Sequence, residues 1–165
     1  MVTTSGPITS DHQIDRLAPL WRNLHAHHLA VASYESLVTD AEESWRRRRE
    51  WYRELLAAHG CYFLAEDSAV SIGYAFARVL PGPDDTFDAP NGIMELVSLE
   101  VEIAFRHRGV GYLLLRAVEA EATHRGIDML QVSVMAGNDT AAAFYRNAGF
   151  SPGEEVLYRK LRGLA

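Results

Sequence analysis

Two glycines between a strand-like segment and a helix-like segment constrain this chain more than any other feature. Residues 94–101 (MELVSLEV) alternate as a β-strand does, and residues 112–120 (YLLLRAVEA) have the spacing of a helix. The connection between them contains residues 106–111, which read RHRGVG. Glycine permits positive φ and close approach to an anion, and the first N–H groups of a helix have no internal partner. The segment predicts an anion-binding turn, although a corner that needs glycine only for tightness would show the same pattern.

Composition and charge restrict the class of protein. The chain has 165 residues, of which 48% are apolar and 23% charged, and these values predict one globular domain over residues 1–165. A formal net charge of −6 argues against a nucleic-acid surface. No apolar stretch approaches membrane-spanning length, and residues 1–7 do not resemble a signal peptide. We therefore expect a cytoplasmic protein that binds neither nucleic acid nor a membrane.

The cysteine and histidine content disfavours thiol and metal chemistry. The one cysteine, Cys61, opens an apolar run, so we expect a small core side chain there rather than a nucleophile. His25, His27 and His28 are close in sequence, but only the first and third share a helix face. No carboxylate or cysteine completes a ligand set at suitable spacing, so we expect no metal.

The order of predicted elements indicates an α/β fold with a mixed sheet and helices on both faces. Apolar spacing and turn residues predict two helices, a hairpin, a strand before the glycine turn, and then a helix, a strand, a helix and a last strand. In sheets of this kind, ligands with phosphate groups bind where strand ends meet helix N-termini. The predicted bounds are helices at 11–32 (kinked or broken at Pro19) and 41–59, strands at 61–66, 70–80 and 93–102, a helix at 109–125, a strand at 128–136, a helix at 139–148 and a strand near 153–160.

A second segment, residues 132–150, carries side chains that could take part in chemistry. A predicted strand ends at Gly137, and Asn138 lies where a residue would cap the short helix that follows. Phe144 and Tyr145 occupy consecutive helix positions, so they point in different directions and one can face a cleft. Taken alone, Asn138 is better explained as a helix cap, and Tyr145 as a core aromatic with a wet hydroxyl.

Together the two segments resemble the signature of the GNAT-type N-acetyltransferases. The phosphate-loop pattern of that family is Arg or Gln, two residues, Gly, one residue, and Gly or Ala, and residues 106–111 match it. Residues 138–150 resemble the family's fifth-strand–helix signature, and the element order fits over about 8–162. Ile103 departs from the pattern, since many members have proline there. The resemblance implies the GNAT fold, a mostly antiparallel central sheet with a splayed parallel strand pair and helices on both faces.

The resemblance also implies that the chain binds acetyl-CoA as a cosubstrate. The pantetheine arm would lie between the strand that ends at Val101 and the strand that ends at Gly137, paired with the backbone of residues 99–103 like an added strand. The pyrophosphate would accept N–H bonds from residues 108–112. The implied binding residues are Leu99, Val101, Arg106, His107, Arg108, Gly109, Val110, Gly111, Tyr112, Asn138 and Phe144.

The implied reaction is N-acetyl transfer to a primary amine by direct attack in a ternary complex. Tyr145 matches the family's general acid in position, and a tyrosine pKa of about 10 suits a thiolate leaving group of about 8.5. A backbone N–H near residues 99–101 would hold the oxyanion.

The general base is open at this point. Glu95 stands eleven residues before Arg106, a spacing at which some family members place their base, and we favour it. Glu100 lies beside the expected thioester, and a water is a further alternative. The two glutamates face opposite sides of a regular strand, and a β-bulge would change that.

The acceptor and the acyl group are not readable from these motifs. The acceptor, a small-molecule or peptide amine, depends on the first two helices and on the loop at 81–92. His25, His27 and His28 are candidates for that pocket, and the loop's Asp84, Asp85 and Asp88 could attract a cationic amine. Alternative functions are a non-catalytic acyl-CoA-binding regulatory module and a transferase that uses a longer acyl group. Dimers are common in the family, so a homodimer is a further expectation.

The arginine run at residues 46–49 spans just over one helical turn and should point mostly into water. Nearby glutamates can pair with it at helical spacing. Contact with the 3′-phosphate of the coenzyme is the alternative. The candidate partners are Glu42, Glu43, Glu50 and Glu54.

Overall fold

The computed structural model describes residues 1–33, 37–82 and 88–161, and within these ranges it has one five-stranded mixed sheet with helices on both faces. This confirms the predicted fold class. The loop aspartates Asp84 and Asp85 lie outside the described residues. The strands are β1 (Val2–Ile8), β2 (Cys61–Asp67), β3 (Val70–Leu80), β4 (Ile93–Val101) and β5 (Leu130–Val132). The helices are α1 (Ala18–Val31), α2 (Ala41–Ala57), α3 (Val110–His124) and α4 (Asp139–Asn147), with 3₁₀ turns at Ile14–Leu17 and Ile103–Phe105.

The sheet follows the order of the chain, and its last pair of strands separates. β1 to β4 pair antiparallel, whereas β4 and β5 are parallel. The parallel pairing runs only from Met94 opposite Leu130 to Leu96 opposite Val132. β4 then continues to Val101 without pairing to β5. The backbone of its second half is therefore open on that side, as the resemblance implied.

Two apolar clusters hold the helices against opposite faces of the sheet. Successive side chains of a strand point to opposite faces, so β2 contributes Phe63 to one cluster and Leu64 to the other. α3 and α4 cover the first face, and α1 and α2 cover the second. In the second cluster the rings of Tyr52 and Phe76 stack with their centroids 4.0 Å apart. These two clusters thus hold both helix layers against the sheet that contains the open half of β4.

The starts of α1 and α2 have local chemical causes. Asp40 caps α2, since its carboxylate accepts from the Glu43 N–H at 2.7 Å. Pro19 lies in the first turn of α1, where the missing N–H removes no helical bond. The break predicted at Pro19 is therefore the junction between the 3₁₀ turn at Ile14–Leu17 and α1.

Two strand predictions near the C-terminus are wrong. The strand predicted at 128–136 has only the three residues of β5, and the strand predicted near 153–160 is absent from the described residues. Val156 and Leu157 are instead 66% and 83% exposed. The residues of a segment indicate whether it suits a strand, but a strand forms only where a neighbouring backbone completes its ladder.

Candidate active site

A β-bulge lies in the middle of β4, where β4 and β5 separate. Phe76 of β3 stands opposite Ser98, whereas the next residue, Ala77, stands opposite Leu96. Val97 is therefore the extra residue on β4.

The bulge places both candidate bases on one face of the sheet. Before it, Met94 and Leu96 pack in the cluster under α3, and after it, Leu99 and Val101 do. Glu95 and Glu100 both point away from that cluster, to the face that α1 and α2 cover. Of the two alternatives that the sequence left open, the structure has the bulge, and the inserted residue shifts the alternation by one.

The glycine turn has the backbone geometry of an anion-binding helix start. Gly109 has a φ of 83°, in the left-handed region, and α3 begins at the next residue. The first helical bond runs from the Leu113 N–H to the Gly109 carbonyl, at 3.0 Å, so the N–H groups of residues 110–112 precede the internal bonding. Val110 is buried and anchors the helix, whereas residues 107–109 are exposed. An anion at this helix end meets unpaired donors and the favourable end of the dipole.

Arg106 ties the glycine turn to the end of β4. Its Nε donates to the Val101 carbonyl at 2.9 Å, and its Nη2 donates to the Glu100 carboxylate at 2.8 Å. Burial raises the pKa of Glu100, while the Arg106 guanidinium partly opposes that rise. Among the implied binding residues, Arg106 thus uses its side chain to position the turn.

Three implied coenzyme-binding residues from three elements meet beside the turn. A Cβ added to Gly111 would lie 3.4 Å from the Phe144 ring and 3.9 Å from the Leu99 side chain. The Phe144 ring also lies 4.8 Å from the ring of Tyr112, centroid to centroid. α3 therefore packs against α4 and β4 at Gly111, and these residues form one continuous wall.

Asn138 lies at the start of α4, and Tyr145 lies along its length. Asn138 caps the helix, with its Oδ1 accepting from the Ala141 N–H at 3.1 Å. Tyr145 is 8% exposed, and its ring contacts Phe144 and Phe150 at 5.1 and 5.5 Å between centroids. Burial raises the pKa of Tyr145, so the hydroxyl stays protonated at neutral pH. Across the described ranges, no hydrogen bond engages that hydroxyl.

The two candidate bases differ in access. The side chain of Glu95 is 14% exposed and accepts a hydrogen bond from Nε of Arg78, its cross-strand neighbour on β3. The side chain of Glu100 is 5% exposed and is held by Arg106. Glu95 is thus the more accessible carboxylate on the face that α1 and α2 cover.

Sequence reasoning missed a buried cluster of hydroxyl groups beside the bulge. Tyr52 donates to Ser98 Oγ at 2.8 Å, and the hydroxyls of Tyr52 and Tyr74 lie 3.1 Å apart. Burial raises the pKa of both tyrosines, so the cluster is neutral. The available signal was a serine in the middle of an apolar strand, since a buried hydroxyl needs a partner.

The histidines of α1 surround Trp21. His25 donates from Nε2 to the Val38 carbonyl at 2.7 Å, and Trp21 contacts the rings of His25 and His28 at 6.4 and 6.2 Å. In the part of the chain that the structure describes, no group of three histidine, cysteine or carboxylate side chains could hold a metal ion.

No described helix has both the length and the apolar character needed to cross a membrane.

We expect His28 to make the protein less stable in acid. Burial, followed by the nearby Arg48 charge, lowers the pKa of His28 to about 4. The unfolded chain binds this proton at about 6.5, so acid favours unfolding, and from pH 7 to pH 5 the free energy of unfolding should fall by about 2 kcal/mol through this group. Urea unfolding at both pH values measures the difference. His28→Gln should remove it, the exposed control His124→Gln should retain it, and an unchanged difference in His28→Gln would contradict the assignment.

A family model described as the acetyltransferase (GNAT) family matches residues 23–150. Among curated proteins, an uncharacterized protein of Mycobacterium leprae (strain TN) is 31% identical over 147 residues, which are 87% of this chain and 36% of the relative. The chain thus spans about a third of the length of that relative.

Solved structures with the same fold cover almost the whole chain. A GCN5-related N-acetyltransferase from Ralstonia eutropha JMP134 has a TM-score of 0.76 at 18% identity, covering 99% of this chain and 100% of its own. A putative acetyl transferase from Pyrococcus furiosus has a TM-score of 0.75 at 20% identity, covering 98% and 100%. The aminoglycoside N-acetyltransferase AAC(6')-Iy in complex with CoA has a TM-score of 0.70 at 20% identity, covering 99% and 95%.

Proposed function

Because the chain belongs to the GNAT acetyltransferase family, we propose that it transfers an acetyl group from acetyl-CoA to a primary amine by direct attack. The observation that carries this proposal is the placement of the open half of β4 directly before the glycine turn. One feature offers unpaired strand backbone and the other offers unpaired helix N–H groups. An extended amide-containing arm that ends in a pyrophosphate needs both.

The residues around these two features fit acetyl-CoA. The backbone of residues 99–101 can pair with the pantetheine amides as an added strand would, and residues 108–112 can donate to the pyrophosphate. The wall formed by Leu99, Gly111 and Phe144 is apolar and closely packed, which suits the thin pantetheine arm. The acetyl-CoA thioester is the acyl donor in this scheme.

The chemistry requires two protons to leave the acceptor nitrogen, one before the attack and one as the amide forms, and one proton to reach the sulfur; the second nitrogen proton restores, through solvent, the proton that the acid gives up. The neutral amine nitrogen bonds to the thioester carbonyl carbon, and the carbon–sulfur bond then breaks. We assign Glu95 as the base that takes the ammonium proton, directly or through water, because it is the more accessible carboxylate. We assign Tyr145 as the acid that protonates the departing thiolate, because burial keeps it protonated and no described residue bonds to its hydroxyl. A backbone N–H near residues 99–101 would stabilise the oxyanion.

An acceptor screen tests this proposal. The purified protein is mixed with acetyl-CoA and a panel of amines, with an aminoglycoside included because an aminoglycoside N-acetyltransferase has the same fold, and the thiol released is measured. We expect thiol release with at least one amine, and intersecting double-reciprocal lines when both substrates are varied. Binding of acetyl-CoA without thiol release above background would indicate a non-catalytic module, and parallel lines would contradict direct transfer.

A further inference from the structure

A cavity between α1 and α2 is not used by the mechanism above. Its volume is about 280 Å³, enough for about nine waters at about 30 Å³ each. We call it the arginine pocket. Its lining residues are Trp21, Val38, Ser44, Arg47, Arg48 and Trp51.

Arg48 is fixed in this pocket by aromatic rings. Its guanidinium carbon lies 4.0 Å from the ring centroid of Trp21 and 4.7 Å from that of Trp51. Cation–π contacts of this kind hold the guanidinium group, whose N–H donors lie in its plane. The arginine is thus oriented before any ligand arrives, which lowers the entropic cost of binding.

Arg48 differs from the other arginines of the run at residues 46–49. Arg46 and Arg47 pair with Glu43, and Arg49 pairs with Asp15. Within the described residues, Arg48 has no carboxylate within ion-pair distance. A half-buried arginine that lacks a counter-ion beside a cavity attracts an anion, even in a chain of net charge −6.

The arginine pocket adjoins the proposed catalytic face on two sides. Tyr52 lies 5.5 Å from the Arg48 guanidinium and donates its hydroxyl hydrogen bond to Ser98 in the β4 bulge. Trp51, which contacts Arg48, also has the guanidinium carbon of Arg78 at 5.6 Å from its ring centroid. Arg78 in turn forms the ion pair with Glu95. One side chain, that of the buried Tyr52, therefore lies between the Arg48 guanidinium and Ser98 in the bulge.

We propose that the arginine pocket binds a carboxylate of the acceptor, so that the acceptor is an amine that also carries a carboxylate, such as an amino acid or a short peptide. A carboxylate matches the planar donor fork of arginine and can accept two N–H bonds from it. The inference rests on the proposed acetyl transfer and names the class of acceptor for that reaction.

Paired acceptors test this inference. The panel contains ω-amino acids of two to six carbons and dipeptides, each beside its C-terminal amide, and kcat/KM is compared for wild type, Arg48→Gln and the control Arg46→Gln. For wild type we expect the carboxylate form to be preferred. For Arg48→Gln we expect kcat/KM to fall about 10- to 100-fold for carboxylates and little for amides. A merely structural role for Arg48 would lower both forms equally, and Arg46→Gln should leave both unchanged.

The experiment distinguishes an error in the pocket inference from an error in the proposed acetyl transfer. If amides and carboxylates react equally well and Arg48→Gln lowers neither selectively, the pocket inference is overturned while acetyl transfer stands. If no amine reacts, the proposed function fails, and the pocket is then judged by titrating the same pairs against tryptophan fluorescence, which Trp21 and Trp51 report. Saturable binding of the carboxylate that Arg48→Gln abolishes supports the pocket, and equal binding of both forms contradicts it.

Discussion

Tyr145→Phe is expected to lower kcat by about 100-fold or more, because general acid catalysis typically contributes that much. The Kd for acetyl-CoA should change little, since the ring that packs between Phe144 and Phe150 is retained. Folding should also be unaffected, because no described residue bonds to the hydroxyl that is removed. Steady-state kinetics, calorimetric titration with acetyl-CoA and thermal unfolding together separate these effects.

Tyr62→Phe is the matched control for that variant. Tyr62 is fully buried on β2, on the face that α1 and α2 cover, and its hydroxyl likewise lacks a partner among the described residues. Its loss should leave kcat within about twofold of wild type, as expected for a group that makes no transition-state contact. Turnover by Tyr145→Phe equal to that of this control would remove Tyr145 as the acid.

The strand–turn–helix unit could be predicted closely from the sequence because each of its parts has a local cause. The helix predicted to begin at residue 109 begins at Val110, one residue later, since Gly109 adopts the left-handed conformation and cannot be helical itself. Alternation predicted β4, and the cap and glycine stop predicted α4. These features depend on neighbours along the chain, which a sequence displays directly.

The arrangement of the candidate site depends on partners distant in sequence, and these could not be predicted. The bulge at Val97 exists only as a register between β3 and β4, so the sequence alone left the faces of Glu95 and Glu100 undecided. The ion pair between Arg106 and Glu100 follows from how the turn folds back onto β4. The separation of Arg48 from the solvated arginines depends on two tryptophans, one of them on another helix.

The missing last strand has the same kind of cause. Residues 153–160 contain the short apolar run Val156, Leu157 and Tyr158, yet β5 ends at Val132 and no described strand pairs with them. The residue pattern depends on the segment alone, whereas strand pairing depends on the sheet edge that the segment would join.

Glu95→Gln is expected to lower kcat/KM by about 100-fold, because the amide cannot accept the ammonium proton. The variant also breaks the ion pair with Arg78, so a loss of activity alone would not separate catalysis from structure. Arg78→Gln breaks the same ion pair from the other side and keeps the carboxylate.

Comparison of these two variants decides the role of Glu95. If it is the base, Arg78→Gln should retain most of the activity that Glu95→Gln loses, while thermal unfolding shifts both variants alike. Equal loss in the two would mean that the pair is structural.

Glu100→Gln completes the set: since Glu100 holds Arg106 and thereby the glycine turn, its loss should raise the Kd for acetyl-CoA more than it lowers kcat. A large fall in kcat at unchanged Kd would instead transfer the base assignment from Glu95 to Glu100.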